Sequence, residues 1–130
     1  INTEEIHFRA YDRTCQSRGY TLKWTFDDFI RMAHYSSTAV RDYLYLTFPK
    51  LKEEAPDWKT IHQEKTAQFL SLLEEGVVEF MPGADEFLGW ALKTGKPVAV
   101  VTNSLQSLVD AISLHLPLLK EVPLWLTREC

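Results

Sequence analysis

Through the first 79 residues, apolar positions recur at helical spacing and are divided by short polar breaks. Asn2, with Glu5 three residues later, reads as an N-cap and its capping-box partner. The helix it opens is predicted over about residues 3 to 18, with Gly19 as a natural C-cap. Thr25 and Asp28 repeat the capping signal, and Phe26, Phe29, Ile30 and Ala33 follow at i, i+3, i+4 and i+7, the spacing of one buried helical face. Ser36 or Ser37 can cap a third helix through Val40, Tyr43, Leu44 and Thr47, which Pro49 closes. Pro56 and Asp57 open a fourth, with Trp58, Ile61, Lys65, Phe69, Leu72 and Leu73 along one side and Gly76 at its end. Four amphipathic helices with short connections predict a small bundle.

The pattern changes near residue 80. Met81-Pro82-Gly83 is a turn, and Ala84, Phe87, Leu88, Ala91 and Leu92 form another apolar helical face that ends at Gly95. Pro97 to Val101 is a continuous apolar run, rich in β-branched residues, which fits a strand covered on both faces in a parallel sheet. Ser104 can cap a helix carrying Leu108, Val109, Ile112 and Leu116, and Val122 to Leu126 reads as a second strand. This order is a βαβ unit of an open α/β sheet. The chain is therefore expected to hold a helical module over 1–79 and the first part of a doubly wound core over 80–130. Two strands do not make a stable sheet of this kind, so further strands are expected from other sequence or from another copy, with self-association through the incomplete sheet edge as a consequence.

The composition is that of an ordinary globular protein: 45% hydrophobic, 12% aromatic and 25% charged over 130 residues, near the usual size of one domain. A net charge of −4 argues against nucleic acid as a partner, since phosphate-backbone binding needs a clustered excess of Lys and Arg. The four tryptophans, Trp24, Trp58, Trp90 and Trp125, are scattered and read as core and boundary packing rather than as base-stacking platforms. Cys15 and Cys130 lie near opposite ends with no CxxC spacing, which indicates neither a zinc site nor a disulfide framework. The apolar runs are too short to span a bilayer and no secretory leader pattern appears, so a soluble, cytoplasmic, membrane-free protein is expected. A start at Ile1 and an end at Leu126 to Cys130 without a polar tail suggest a cut chain.

In open α/β sheets, ligands gather beyond the carboxyl ends of the strands, where helix N-termini present free N–H groups. Thr102 and Asn103 follow the first strand at such a place. A threonine hydroxyl there can donate to a phosphate oxygen, and the Asn103 amide can supply a second donor. The plainer alternative is that Thr102, Asn103 and Ser104 only cap a helix. His62 and His115 have no paired ligands at metal spacing and read as surface residues.

Taken in order, these motifs resemble the haloacid dehalogenase-like superfamily, in particular its branch of β-phosphoglucomutase-like phosphatases and mutases. In that branch an Asp-x-Asp-Gly nucleophile motif runs into Asp-Thr-Glu or Asp-Ser-Glu and then a cap helix, often with His-x-x-Ala. Asn2-Thr3-Glu4 and His7-Phe8-Arg9-Ala10-Tyr11 hold those places here, with Asn2 in place of the usual acid. Met81-Pro82-Gly83 matches the turn back to the core, Val100-Val101-Thr102-Asn103-Ser104 the second motif, and Leu126-Thr127-Arg128-Glu129 the approach to the third. The resemblance covers the whole chain in order, although no single motif is specific.

The resemblance implies a Rossmann-like core of parallel strands with an α-helical cap. It also implies Mg²⁺-dependent phosphatase or phosphomutase chemistry on a small phosphorylated metabolite, through an aspartyl-phosphate. The aspartates it requires would precede Ile1, and the lysine and metal-binding acids would follow Cys130, so no catalytic or metal-binding residue is assigned within these 130 residues and the chain alone is expected to be inert. Thr102 and Asn103 are the implied phosphate-binding pair. Lys65 stands where related caps place a lysine that reaches the active site, with a snorkelling stem as the alternative. His7 resembles a cap-facing histidine of the mutases, with a surface or helix-packing role as its alternative. The family's cap loop contains glycine, whereas Ala33-His34-Tyr35-Ser36 stands here, so no substrate preference carries over. Two other functions remain open: a non-enzymatic helical binding module, and haloacid dehalogenation on the same scaffold.

Overall fold

The computed structural model describes residues 1–129. The described residues form seven α-helices: α1 (Thr3–Ser17), α2 (Phe26–Tyr35), α3 (Ala39–Thr47), α4 (Pro49–Glu54), α5 (Trp58–Glu74), α6 (Ala84–Lys93) and α7 (Gln106–His115). Two short strands, β1 (Ala99–Val101) and β2 (Leu124–Leu126), and a 3₁₀ turn at Pro117–Glu121 complete the order. The chain divides into two compact units, Thr3–Ser71 and the chain from Leu72 onward joined by Ile1–Asn2.

The Thr3–Ser71 unit is all helical. Its core gathers Tyr11 and Cys15 of α1, Phe29 of α2, Val40 and Leu44 of α3, Leu51 of α4 and Ile61 of α5, together with Trp24 from the α1–α2 connection. The aromatic members are in ring contact: Trp24 stacks on Tyr43 at 5.5 Å, and Tyr11 stacks on Trp58 at 6.2 Å. The predicted capping box at α2 is complete. The Thr25 hydroxyl accepts from Asp28 N, and the Asp28 carboxylate accepts from Thr25 N at 2.9 Å. Arg18 donates to both carboxylate oxygens of Glu64 at 2.7 Å, fastening the end of α1 to α5. Gly19 has φ +84°, the left-handed conformation of a C-cap that β-carbon-bearing residues rarely adopt.

Several local details depart from the pattern reading, among them the cap of α3, where Thr38 rather than Ser36 or Ser37 stands at the N-cap. The third helix ends at Thr47, just before Pro49 as expected, but Pro49 is also the first residue of a further helix, α4, a position in which proline's missing N–H costs nothing. The Asn2 side chain donates to Val77 O at 2.9 Å and accepts from Glu79 N at 2.9 Å, so it fastens the 77–79 segment rather than the start of α1.

In the other unit, β1 and β2 pair in parallel, with Ala99 opposite Leu124, Val100 opposite Trp125 and Val101 opposite Leu126. The βαβ order read from the sequence is thus realised. The strand faces are not covered, however: Val101 is 75% exposed and Leu124 and Leu126 are exposed as well, contrary to the doubly buried strand expected from the β-branched run. The exposed residues share one face, while Val100 and Trp125 on the other are half-buried; two strands offer too little sheet and too few flanking helices to cover both. Leu105, not Ser104, stands at the N-cap of α7 with extended backbone, and both the amide and the hydroxyl of Ser104 are engaged with Thr102. No helix among the described residues is long and apolar enough to cross a membrane. Cys15 is a free, buried thiol, and the reading of Cys130 lies outside the described residues.

Candidate functional site

Two clusters carry the residues singled out in the sequence, one in each unit. In the helical unit, α1 presents His7, Tyr11 and Cys15 at i, i+4 and i+8, and α5 presents Ile61, Lys65 and Phe69 at the same spacing. The two stripes meet in antiparallel order. The His7 ring lies 4.5 Å from that of Phe69, and the Lys65 Nζ lies 5.3 Å from the Tyr11 centroid and 5.9 Å from the Phe69 centroid.

Lys65 is only 7% exposed, and among the described residues no carboxylate pairs with it. A snorkelling side chain would keep its ammonium in water, and the burial of Lys65 leaves little room for that. Removal from water pushes its pKa down to about 8, and the faces of two rings give the cation a partial substitute for hydration. Burial, followed by the charges of Lys65 and His62, holds His7 down to about 3. The imidazole is therefore neutral at pH 7. Its Nδ1 is buried and has no hydrogen-bond partner among the described residues. Burial pushes Tyr11 and Cys15 each up to about 12, so the phenol and the thiol stay protonated, and the charge of this cluster resides on Lys65.

The second cluster is the turn after β1. Thr102 N donates to Leu126 O at 2.9 Å, which continues the parallel ladder by one residue and places Thr102 at the carboxyl end of the sheet. The Thr102 hydroxyl donates to Ser104 Oγ at 3.1 Å and accepts from Ser104 N at 3.2 Å. The capping role considered for this segment is therefore real in part: the hydroxyl holds its own turn. It is also half-buried at the strand end, and its proton can be redirected by rotation about the C–O bond. Arg128 Nε donates to Asn103 O at 3.1 Å, and the Glu129 carboxylate accepts from Gln106 N at 3.1 and 3.2 Å.

Thus His7 and Lys65 are brought together within one unit, and Thr102 and Asn103 within the other. Sequence reading quoted Tyr11 only as part of the His7 motif and missed its place against Lys65, although its i+4 spacing from His7 was available as a signal. It also missed Arg128 and Glu129 as neighbours of the Thr102 turn, for which the sequence carried none. Among the described residues, no group of three or more His, Cys, Asp or Glu side chains converges as a metal ion would require.

Comparison with known proteins supplies similarity without a family assignment. The chain is 25% identical over 112 residues to Protein CbbY of Rhodobacter capsulatus, and 26% identical over 110 residues to Protein CbbY of Cereibacter sphaeroides. Each alignment covers 85% of this chain and 48% of the relative, so the chain spans about half the length of the curated relatives it matches. No family model and no solved structure matches the chain.

Proposed function

We propose that the protein acts in haloacid dehalogenase-type phosphoryl chemistry, as a phosphatase or phosphomutase on a small phosphorylated metabolite. The observation that carries the reading is the Thr102-Asn103 turn, which stands at the carboxyl end of a parallel strand and leads into a helix, where open α/β sheets receive phosphate. The similarity to the two CbbY proteins supports the superfamily. In this reading residues 1–79 form the cap and residues 80–130 the first part of the core. Thr102 donates its hydroxyl proton to a phosphate oxygen as charge develops there, and Asn103 supplies the neighbouring donor. Lys65 is the cap residue that the resemblance assigns to the substrate, and neutral His7 packs beside it within the helical unit.

The aspartyl nucleophile and the aspartate acid–base belong to the reading through the resemblance alone. Mg²⁺ stands likewise, because the described residues do not bring together the acidic donors such an ion needs. Haloacid dehalogenation on the same scaffold is the weaker alternative, since a hydroxyl at Thr102 is matched to a phosphate oxygen more than to a halide. A non-enzymatic binding module draws on the separate helical unit with its own aromatic core.

The deciding experiment measures phosphate release by the full-length protein from a panel of phosphate monoesters, with and without added Mg²⁺. Release that follows Mg²⁺ and leaves an acid-stable, hydroxylamine-labile phosphoprotein is the expected result. A protein that releases neither phosphate nor halide would turn the reading toward the binding module.

A further inference from the structure

Resting on the phosphate reading of the Thr102 turn, we propose that Arg128 and Glu129 are positioning residues that clamp this turn in its anion-receiving conformation. Four contacts join the segment after β2 to the segment after β1. Thr102 N donates to Leu126 O at 2.9 Å, Arg128 N to Ser104 O at 3.1 Å, Arg128 Nε to Asn103 O at 3.1 Å, and Gln106 N to both oxygens of the Glu129 carboxylate. The first belongs to the strand ladder. The other three reach into the turn and into the start of α7 and have no part in the sheet.

Their effect follows from peptide geometry. A trans peptide is planar, with the carbonyl of one residue and the N–H of the next pointing in opposite directions. Arg128 draws the Asn103 and Ser104 carbonyls toward itself, so the Ser104 and Leu105 N–H groups are turned to the opposite side. The Ser104 N–H meets the Thr102 hydroxyl there. Arg128 thus fixes the two peptide planes on which the orientation of the Thr102 hydroxyl depends, and Glu129 fixes the first turn of the helix that follows. Neither side chain needs to touch the phosphate.

Charge and positioning predict opposite signs at Glu129, which makes the proposal testable. A carboxylate near an anion site repels phosphate, so removing it would tighten phosphate binding if charge alone mattered. If Glu129 acts as a clamp, removal loosens the turn and weakens binding. The test is titration of the full-length protein with inorganic phosphate, followed through the backbone amide resonances of residues 102 to 106, with melting temperature measured in parallel.

For Glu129→Ala the dissociation constant should rise about fivefold to tenfold, the size expected for losing one helix-start acceptor. Glu129→Gln keeps an acceptor oxygen for Gln106 N and should stay within about threefold of the parent despite losing the charge. Arg128→Met should weaken binding by a similar factor, and Arg128→Lys, which restores a donor, should recover part of it. Phosphate affinity in Glu129→Ala equal to or tighter than the parent's, with the parent binding normally, would overturn the clamp and leave the phosphate reading standing. If the parent itself shows no phosphate-dependent change at residues 102 to 106, the phosphate reading fails and the clamp with it. A fall in affinity fully accounted for by a lowered melting temperature, equal in the Gln and Ala variants, would make both residues structural only and likewise overturn the proposal.

Discussion

The Lys65 ammonium stands 5.3 Å from the centroid of the Tyr11 ring in a site where the lysine is 7% exposed. The folded protein thus keeps a cation on apolar faces, at a cost set by the drop of its pKa from 10.5 to about 8. Between those values the unfolded chain binds more protons than the folded one, so stability rises with pH across that window and the penalty is full below it. The penalty at neutral pH is about 3 kcal/mol, from roughly 1.4 kcal/mol for each pKa unit. Lys65→Met fills similar volume without the charge, so it should stabilise the protein at pH 7 by about 2 to 3 kcal/mol and lose the rise between pH 8 and 10.5. Urea unfolding of both proteins at pH 7 and pH 10 checks this. Identical pH dependence in the two would mean that the ammonium is hydrated.

His7 contributes a slope of the same sign, in a lower window on the acid side. Its folded pKa of about 3 lies below the ordinary 6.5, so between these values the unfolded chain takes up a proton that the folded protein refuses. Stability is unaffected above pH 6.5 and falls as the pH drops toward 3. At pH 5 the loss should be about 2 kcal/mol. His7→Phe retains a ring against Phe69 and removes the titration, so the parent should lose more stability than this variant between pH 7 and pH 5. Denaturant midpoints at the two pH values decide it, and parallel behaviour would place the imidazole in contact with water.

The helical unit was largely legible in the sequence because its signals are local. Thr25 and Asp28 announce their capping box three residues apart, and α1 and α5 announce their stripes at four-residue spacing. What escaped was set by distant partners. Asn2 has a good local capping signal, yet residues 77 and 79 claim its side chain. Ser104 likewise lost its capping place to the hydroxyl two residues before it. The β-branched run at 98–101 predicts a strand correctly but not its exposure, since covering both faces depends on neighbours that a two-stranded sheet lacks. For the candidate site, the stripe placed Lys65 on the buried side, whereas the absence of a carboxylate beside it among the described residues is a tertiary fact that no spacing encodes.

The α2 cap offers a prediction that tests packing apart from function. The Thr25 hydroxyl accepts from Asp28 N, and Asp28 receives the Thr25 backbone N–H in return. Thr25→Ala removes one half of this reciprocal pair and should destabilise the protein by about 1 kcal/mol. Thr25→Ser preserves the acceptor and should restore most of the loss. Phosphate-dependent amide shifts at residues 102 to 106 should be unchanged in both variants, because the cap lies in the helical unit.

Thr102 separates the two readings of its own turn. Its hydroxyl makes two local bonds, to Ser104 Oγ and from Ser104 N, so a purely structural role predicts a loss of about 1 kcal/mol in stability and nothing more when the hydroxyl is removed. If the same hydroxyl also donates to a phosphate oxygen in the transition state, Thr102→Val keeps the shape and leaves that oxygen without its preorganised donor. Such a loss lowers kcat by roughly a hundredfold to a thousandfold. The two effects differ enough in size to be read separately: activity in the full-length protein should collapse while the melting temperature shifts by only a few degrees. Thr102→Ser returns a donor at the same reach and should recover most of the activity, which a defect of folding alone would not predict. Should Thr102→Val hold kcat/KM within about twofold of the parent while the protein loosens, the hydroxyl is a turn-forming group only, and the phosphate must be received elsewhere.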